Sequence, residues 1–240
     1  FAILLSALLI GVIVADARAA ETLNVMVVTG GHGFEREPFF KVFKDNPGIA
    51  YTEARHQKDA DAYDHPDLLR QDVVVLYDMP QTITDAQKAK FLALLDRGIG
   101  LVAMHHALVS YPQWPDYERI IGGRYPEGGG PGGAGLPAGG YEHDVKVPVV
   151  IVAKDHPITA GLSDFIIHDE IYWGFRVGKD VTPLLSTTHP KSGKPLAWTR
   201  TEGKARVVFI QLGHGPEAFE NPNFRKLLAQ SIRWASAGQK

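Results

Sequence analysis

The stretch DVVVLYD, residues 72–78, sets five consecutive aliphatic or aromatic side chains, Val73 to Tyr77, between two aspartates. A run so short and unbroken is the pattern of a strand covered on both faces. The same texture recurs at LNVMVVTG (23–30), IGLVAMH (99–105) and ARVVFIQLGHG (205–215). IAYTEAR (49–55) alternates like a further strand. Helical segments lie between. Glu37 to Val42 reads as the start of a helix with Pro38 in its first turn. Thr84 is placed to cap a helix whose Phe91, Leu92, Leu94 and Leu95 share one side, and Gly98 closes it. Strand and helix alternating at this spacing predict an α/β fold, a parallel sheet with crossover helices.

Downstream the texture changes. GGRYPEGGGPGGAGLPAGGYEHD (122–144) is too rich in glycine and proline for a core element and reads as a long loop, either a lid over a site or an insertion without function. Strand character resumes at VKVPVVIV (145–152), where Pro148 marks an edge strand or a bulge. PLLSTT (183–188) and PLAWTR (195–200) read as strands. Asn221 or Asn223 caps a closing helix with Phe224, Leu227, Leu228 and Ile232 on one face. With no internal repeat and no second hydrophobic nucleus, residues 21–240 are expected to form one domain.

The chain has 240 residues, 10 histidines and no cysteine. The last fact removes disulfides, thiolate metal sites and a cysteine nucleophile, and leaves histidine as the main source of metal ligands and neutral-pH acid–base groups. A formal charge of −2 gives no ground for a nucleic-acid or anionic-membrane partner. The apolar run FAILLSALLIGVIV (1–14), followed by small residues at Ala17, Ala19 and Ala20, has the form of a signal peptide over residues 1–20, and predicts export to a periplasm or the medium. The alternative is an uncleaved anchor, for which the run is short against the roughly 20 residues a span needs.

In a parallel α/β sheet, ligands bind beyond the carboxyl ends of the strands. Three of the expected strands deliver histidine there. TGGHGFERE after the first carries His32, Glu35 and Glu37; His105 and His106 follow the fourth; LGHGPE near the C-terminus carries His214 and Glu217. Asp78 stands after the third. One such histidine would be unremarked surface; three at equivalent positions point to a site. A second cluster, HDEIYW, packs His168, Asp169, Glu170, Tyr172 and Trp173 into six positions. It reads either as an edge strand with a solvated acidic face or as the wall of a polar-ligand pocket. Asp155-His156-Pro157 reads as a turn, with Asp155 or Thr159 as a cap.

TGGHGFE, GLVAMHHA, DHPIT with GL and DF close behind, DEIY, and LAWTR with GKARVVFIQLGH together resemble the ThuA-like family, named for a trehalose-utilisation protein, over Leu23 to Ala235. The resemblance implies a flavodoxin-like, three-layer α/β/α sandwich with a mostly parallel sheet, an offshoot of the class I glutamine amidotransferase fold. It implies that His105 takes the place of that fold's nucleophilic cysteine and that GHGPE, with His214 and Glu217, descends from its base segment. Without cysteine the chain cannot run thioester amidotransfer. An imidazole at that elbow is then a metal ligand or an acid–base group. His32, His105 and His214 are the expected set for a divalent ion such as zinc, or the groups that hold a carbonyl. His105, His106, His214 and Glu170 are the expected catalytic groups, with Glu170 or His106 moving the proton. Glu35, Asp78, Tyr172 and Trp173 are the expected substrate contacts.

The family implies a carbohydrate ligand, a 3-keto-glycoside or related sugar, processed by hydrolysis, elimination or isomerisation. The alternative is a non-catalytic sugar-binding module on the same fold. An amidase using Ser110 ranks last, since that serine lies well past the strand end and lacks a GxSxG context. The oligomeric state stays open.

Overall fold

A computed structural model describes residues 22–126 and 138–238. In chain order the elements are β1 (Leu23–Gly30), α1 (Arg36–Lys44), β2 (Ile49–Arg55), β3 (Val73–Asp78), α2 (Asp85–Asp96), β4 (Gly100–Met104), α3 (Pro115–Ile121), β5 (Gly123–Arg124), β6 (Gly140–Ile151), β7 (Phe165–Trp173), β8 (Arg176–Val177), β9 (Thr182–Thr187), β10 (Ala197–Glu202), β11 (Ala205–Ile210), α4 (Pro216–Glu220) and α5 (Pro222–Ser236). Nine strands form one sheet in the order β2-β1-β3-β4-β11-β10-β9-β6-β7. The four continuous apolar strands of the sequence, β1, β3, β4 and β11, are adjacent and parallel, with β2 parallel outside β1. From β11 outward every pairing is antiparallel. The sheet is therefore mixed, parallel in the half that carries the expected crossovers.

Alternation along these strands feeds two cores. Val25, Val27, Val73, Val75, Tyr77, Val102 and Met104 face one side, with Phe39 and Phe43 of α1 and Phe224, Leu227 and Leu228 of α5. Met26, Val28, Val74, Leu76, Leu101 and Ala103 face the other, with Phe91 and Leu94 of α2 and Tyr117 and Ile120 of α3. Helices thus cover both faces, the α/β/α layering expected. α2 starts at a capping box in which Thr84 and Gln87 satisfy each other's backbone, and α5 starts at Asn221, with Pro222 in its first turn. α5 lies so close on β4 that a Cβ at Gly100 would stand 2.5 Å from the Ala235 carbonyl.

Three local expectations are corrected. β6 is an interior strand, and its bulge lies between Glu142 and Val145, not at Pro148; Pro148 sits just where pairing to β9 stops. The turn at 155–159 is capped by the His156 ring, which accepts from the Ile158 N–H, instead of by Asp155 or Thr159. The segment 122–144 is a loop only in its middle. Gly122 ends α3 in a left-handed conformation, Gly123 and Arg124 pair with β8, and residues 140–144 already belong to β6. Its residues 127–137, and the leader read at 1–20, lie outside the described residues. Among the described residues, no helix is long and apolar enough to cross a membrane.

Candidate functional site

The site begins where β4 ends. His105 follows Met104 directly and takes φ of 51°, the left-handed region that a residue with a Cβ occupies only at a cost. The turn throws its ring across the top of the sheet, fully buried. Nδ1–H donates to the Gln211 carbonyl at 2.7 Å, which fixes the tautomer when the ring is neutral and leaves Nε2 to the site. Around Nε2 stand Glu170 Oε2 at 2.8 Å, the Tyr172 hydroxyl at 2.9 Å and His214 Nδ1 at 3.0 Å. Glu170 Oε2 and His214 Nδ1 are 3.3 Å apart. Glu170 and Tyr172 are two apart on β7 and so share a face of that strand.

The chain beyond β11 is pinned in place to present His214. Asp169, fully shut in beside Glu170, accepts from the backbone N–H groups of Gly213 at 2.7 Å and of His214 and Glu170 at 2.8 Å. The Tyr77 hydroxyl donates to the Gly213 carbonyl at 2.8 Å, and the Gln211 amide donates to the Glu170 carbonyl at 2.9 Å. β7, β3 and the β11 loop are thereby locked to one another around the cluster.

Two cavities flank it. One, of about 450 Å³, is walled by His32, Met79, His106, Val109, Tyr125, Tyr141, His143, Glu170 and Tyr172. The other, of about 520 Å³, takes in Glu35, His143, Asp144, His168, Asp169, His214 and Glu217. His143 borders both, with Nδ1 3.1 Å from Glu170 Oε1. His106 lies stacked on His32 with ring centroids 4.3 Å apart; it is 2% exposed and makes no well-formed hydrogen bond from either ring nitrogen.

The electrostatics divide the histidines. Burial, then the neighbouring His105 and His32, pushes His106 well below its ordinary value, so it is neutral. Burial and His105 likewise lower His32. The bond to Glu170 raises His214. Burial would raise the Glu170 carboxyl, but hydrogen bonds and charge from His105 and His214 outweigh it and hold the group ionised. Burial keeps the Asp169 carboxyl above the usual range despite its three backbone donors.

The structure therefore brings His105, His106, His214, Glu170 and Tyr172 together, as read from the sequence. It sets others apart. His32 stacks on His106, its ring centroid 6.3 Å from that of His214, and the tight set around His105 contains Glu170 in its place. Asp78, read as a substrate contact, lines neither cavity. Its side chain is sealed among Tyr63, Tyr111 and His56, accepting from His56 Nε2 at 3.0 Å and weakly from the Tyr111 hydroxyl at 3.5 Å. Trp173, half-buried, packs over Gly140 and lines neither cavity. Glu35 is exposed on the rim of the larger one. The acidic face of β7 is buried, not solvated. Sequence reasoning missed His143, hidden in what read as loop, and gave Asp169 no role of its own.

A sequence profile described as trehalose utilisation, ThuA, matches residues 24–235. The chain belongs to the ThuA family. Solved ThuA-like proteins share its architecture. That of Parabacteroides merdae is 22% identical, over 90% of this chain and 91% of that one, with a TM-score of 0.75. That of Bacteroides uniformis is also 22% identical, over 92% and 94%, with a TM-score of 0.68. A β-galactosidase from Rahnella sp. R3 carries the fold within a larger chain: 12% identity, 89% of this ThuA chain against 32% of the enzyme, TM-score 0.56. These likenesses speak to the ThuA fold alone. No curated protein matches the sequence.

Proposed function

We propose that this chain is an enzyme that processes a carbohydrate, a keto-sugar or 3-keto-glycoside, in the cavity bounded by His106, His143, Glu170 and Tyr172. The observation that carries the proposal is the convergence at the end of β4: a strained, buried His105 with Glu170, Tyr172 and His214 all within about 3 Å of one ring nitrogen, beside a cavity that the buried His106 also lines. Strain of this kind collects where geometry serves function. The family's description, trehalose utilisation, supports a sugar as the ligand.

The cavity suits that ligand class. Its volume of about 450 Å³ falls in the ~300–1,000 Å³ span of small-molecule sites. Tyr125, Tyr141 and Tyr172 give it aromatic faces for sugar C–H groups, and Tyr141 is 58% exposed. His106, neutral, offers one N–H and one lone pair to hydroxyl groups. A keto oxygen beside His105 would receive the Tyr172 O–H, stabilising the charge that develops when a neighbouring C–H proton leaves. His143, held by Glu170 Oε1, exposed and lining the cavity, is the group best placed to take that proton. Proton removal next to the ketone is the step shared by elimination and isomerisation.

The test is proton exchange. In D₂O, the chain should catalyse deuterium uptake next to the carbonyl of a 3-keto-glycoside, read by mass spectrometry, and form product. Binding of the keto-glycoside without exchange or product would favour the sugar-binding module instead.

A further inference from the structure

Three metal-ligating atoms of the site, from β7 and from the loops after β4 and β11, lie within 3.3 Å of one another. With Nδ1–H given to the Gln211 carbonyl, a neutral His105 turns the lone pair of Nε2 toward the Glu170 carboxylate and toward His214 Nδ1. Their separations are 2.8, 3.0 and 3.3 Å. Each of the three atoms can serve as a metal ligand, and all lie close enough for one ion to reach them together.

We infer that His105 Nε2, Glu170 Oε2 and His214 Nδ1 bind a divalent first-row metal ion. The inference deepens the proposed function and rests on that reading of the site. The spacing fits. A point about 1 Å out of the plane of the three atoms lies about 2.0–2.1 Å from each, the zinc–imidazole and zinc–carboxylate bond length. Two nitrogens and one carboxylate oxygen are a set used by catalytic zinc and by ferrous sites, which keep a coordination position open for substrate. The outer contacts are those a metal site needs. Gln211 orients His105 through Nδ1, and Asp169 holds the backbone that carries His214. Of the three ligands, Glu170 lines the smaller cavity and His214 the larger one, which sets the ion between them.

A second group, Asp144, His168 and Glu217, also comes within ligand reach but is largely exposed, and His168 already pairs with Glu217. It serves as the internal control.

The experiment is titration of EDTA-stripped, full-length chain with Zn²⁺ alone, followed by calorimetry and by metal analysis after dialysis. The expected result is about one tightly held ion per chain. Glu170→Gln, which keeps shape and removes charge, and His214→Ala should each weaken it at least 100-fold. Asp169→Asn should weaken it about 10–100-fold, and His168→Ala should leave it unchanged. Wild-type chain that takes up no zinc overturns the inference, as does binding lost in His168→Ala but kept in Glu170→Gln. Zinc bound with no turnover of any keto-glycoside would retire the proposed function and leave the metal site standing; turnover by a chain that takes up no zinc would do the reverse.

Discussion

Nε2 of His105 and Oε2 of Glu170 lie 2.8 Å apart, the imidazole wholly buried and the carboxylate 4% exposed. One comes from a turn after β4, the other from the edge strand β7, and 64 residues of chain separate them. A buried contact of this kind is weak evidence for stability, since desolvation offsets most of the attraction. Its worth is in what it holds: a carboxylate kept ionised inside the protein, next to a cavity.

Tyr172→Phe isolates the hydroxyl that stands 2.9 Å from the same nitrogen. If it donates to a developing oxyanion, kcat should fall by roughly 10²-fold with little change in KM. Melting should shift by no more than the loss of one hydrogen bond, about 1 kcal/mol. Steady-state kinetics beside a thermal melt reads both.

Asp169→Asn replaces an acceptor with a side chain that must turn an NH₂ toward the Gly213 N–H or toward those of His214 and Glu170. A donor facing a buried donor should cost about 1–3 kcal/mol. It should also loosen the loop that carries His214, lowering kcat more than stability alone explains. Denaturant unfolding paired with kinetics under fully folded conditions separates the two effects.

His56→Ala tests the correction made to Asp78. His56 Nδ1 accepts from the Ala62 N–H, so Nε2 carries the proton and donates to Asp78. Removing the ring leaves a sealed carboxylate without its main donor, a loss of about 3 kcal/mol. The KM for a keto-glycoside should not change, because neither residue of this pair lines either cavity.

His156→Ala carries a pH signature. Burial, with Arg206 adding repulsion, holds the His156 ring below its ordinary value, and the ring caps its turn through an unprotonated Nδ1. The folded chain therefore binds this proton less readily than the unfolded chain. The stability His156 brings is whole above the unfolded value of about 6.5 and is lost as pH falls through the lower, folded value. The variant should be less stable by about 1 kcal/mol at pH 8, with the gap closing toward pH 5. Melts across that range decide it.

Much of this was legible in the residues. Continuous apolar runs identify β1, β3, β4 and β11 because both faces of each are covered, and Thr84 and Asn221 mark their helices by side-chain chemistry alone. The same double burial hides which way a polar residue at a strand end will point. Nothing in DVVVLYD tells that Asp78 turns toward His56 and not toward the site. β7 offered Asp169 and Glu170 as neighbours, and only the fold gives one to the β11 loop and the other to His105. His143 was obscured twice, by the glycines around it and by the bulge between Glu142 and Val145 that breaks the strand's alternation. A signal was present all the same: YEHDVKV carries polar residues at a strand entrance, with a histidine among them.

The most direct test of the account is the turnover of a 3-keto-glycoside by His105→Asn, set beside His156→Ala as a folded control. Asparagine accepts the left-handed backbone at this turn, so a lost activity cannot be laid to a lost fold, and circular dichroism checks that directly. The account predicts that kcat/KM falls at least 100-fold in His105→Asn and stays near wild type in His156→Ala. Activity of His105→Asn within about threefold of wild type would contradict it and remove the end of β4 from the chemistry.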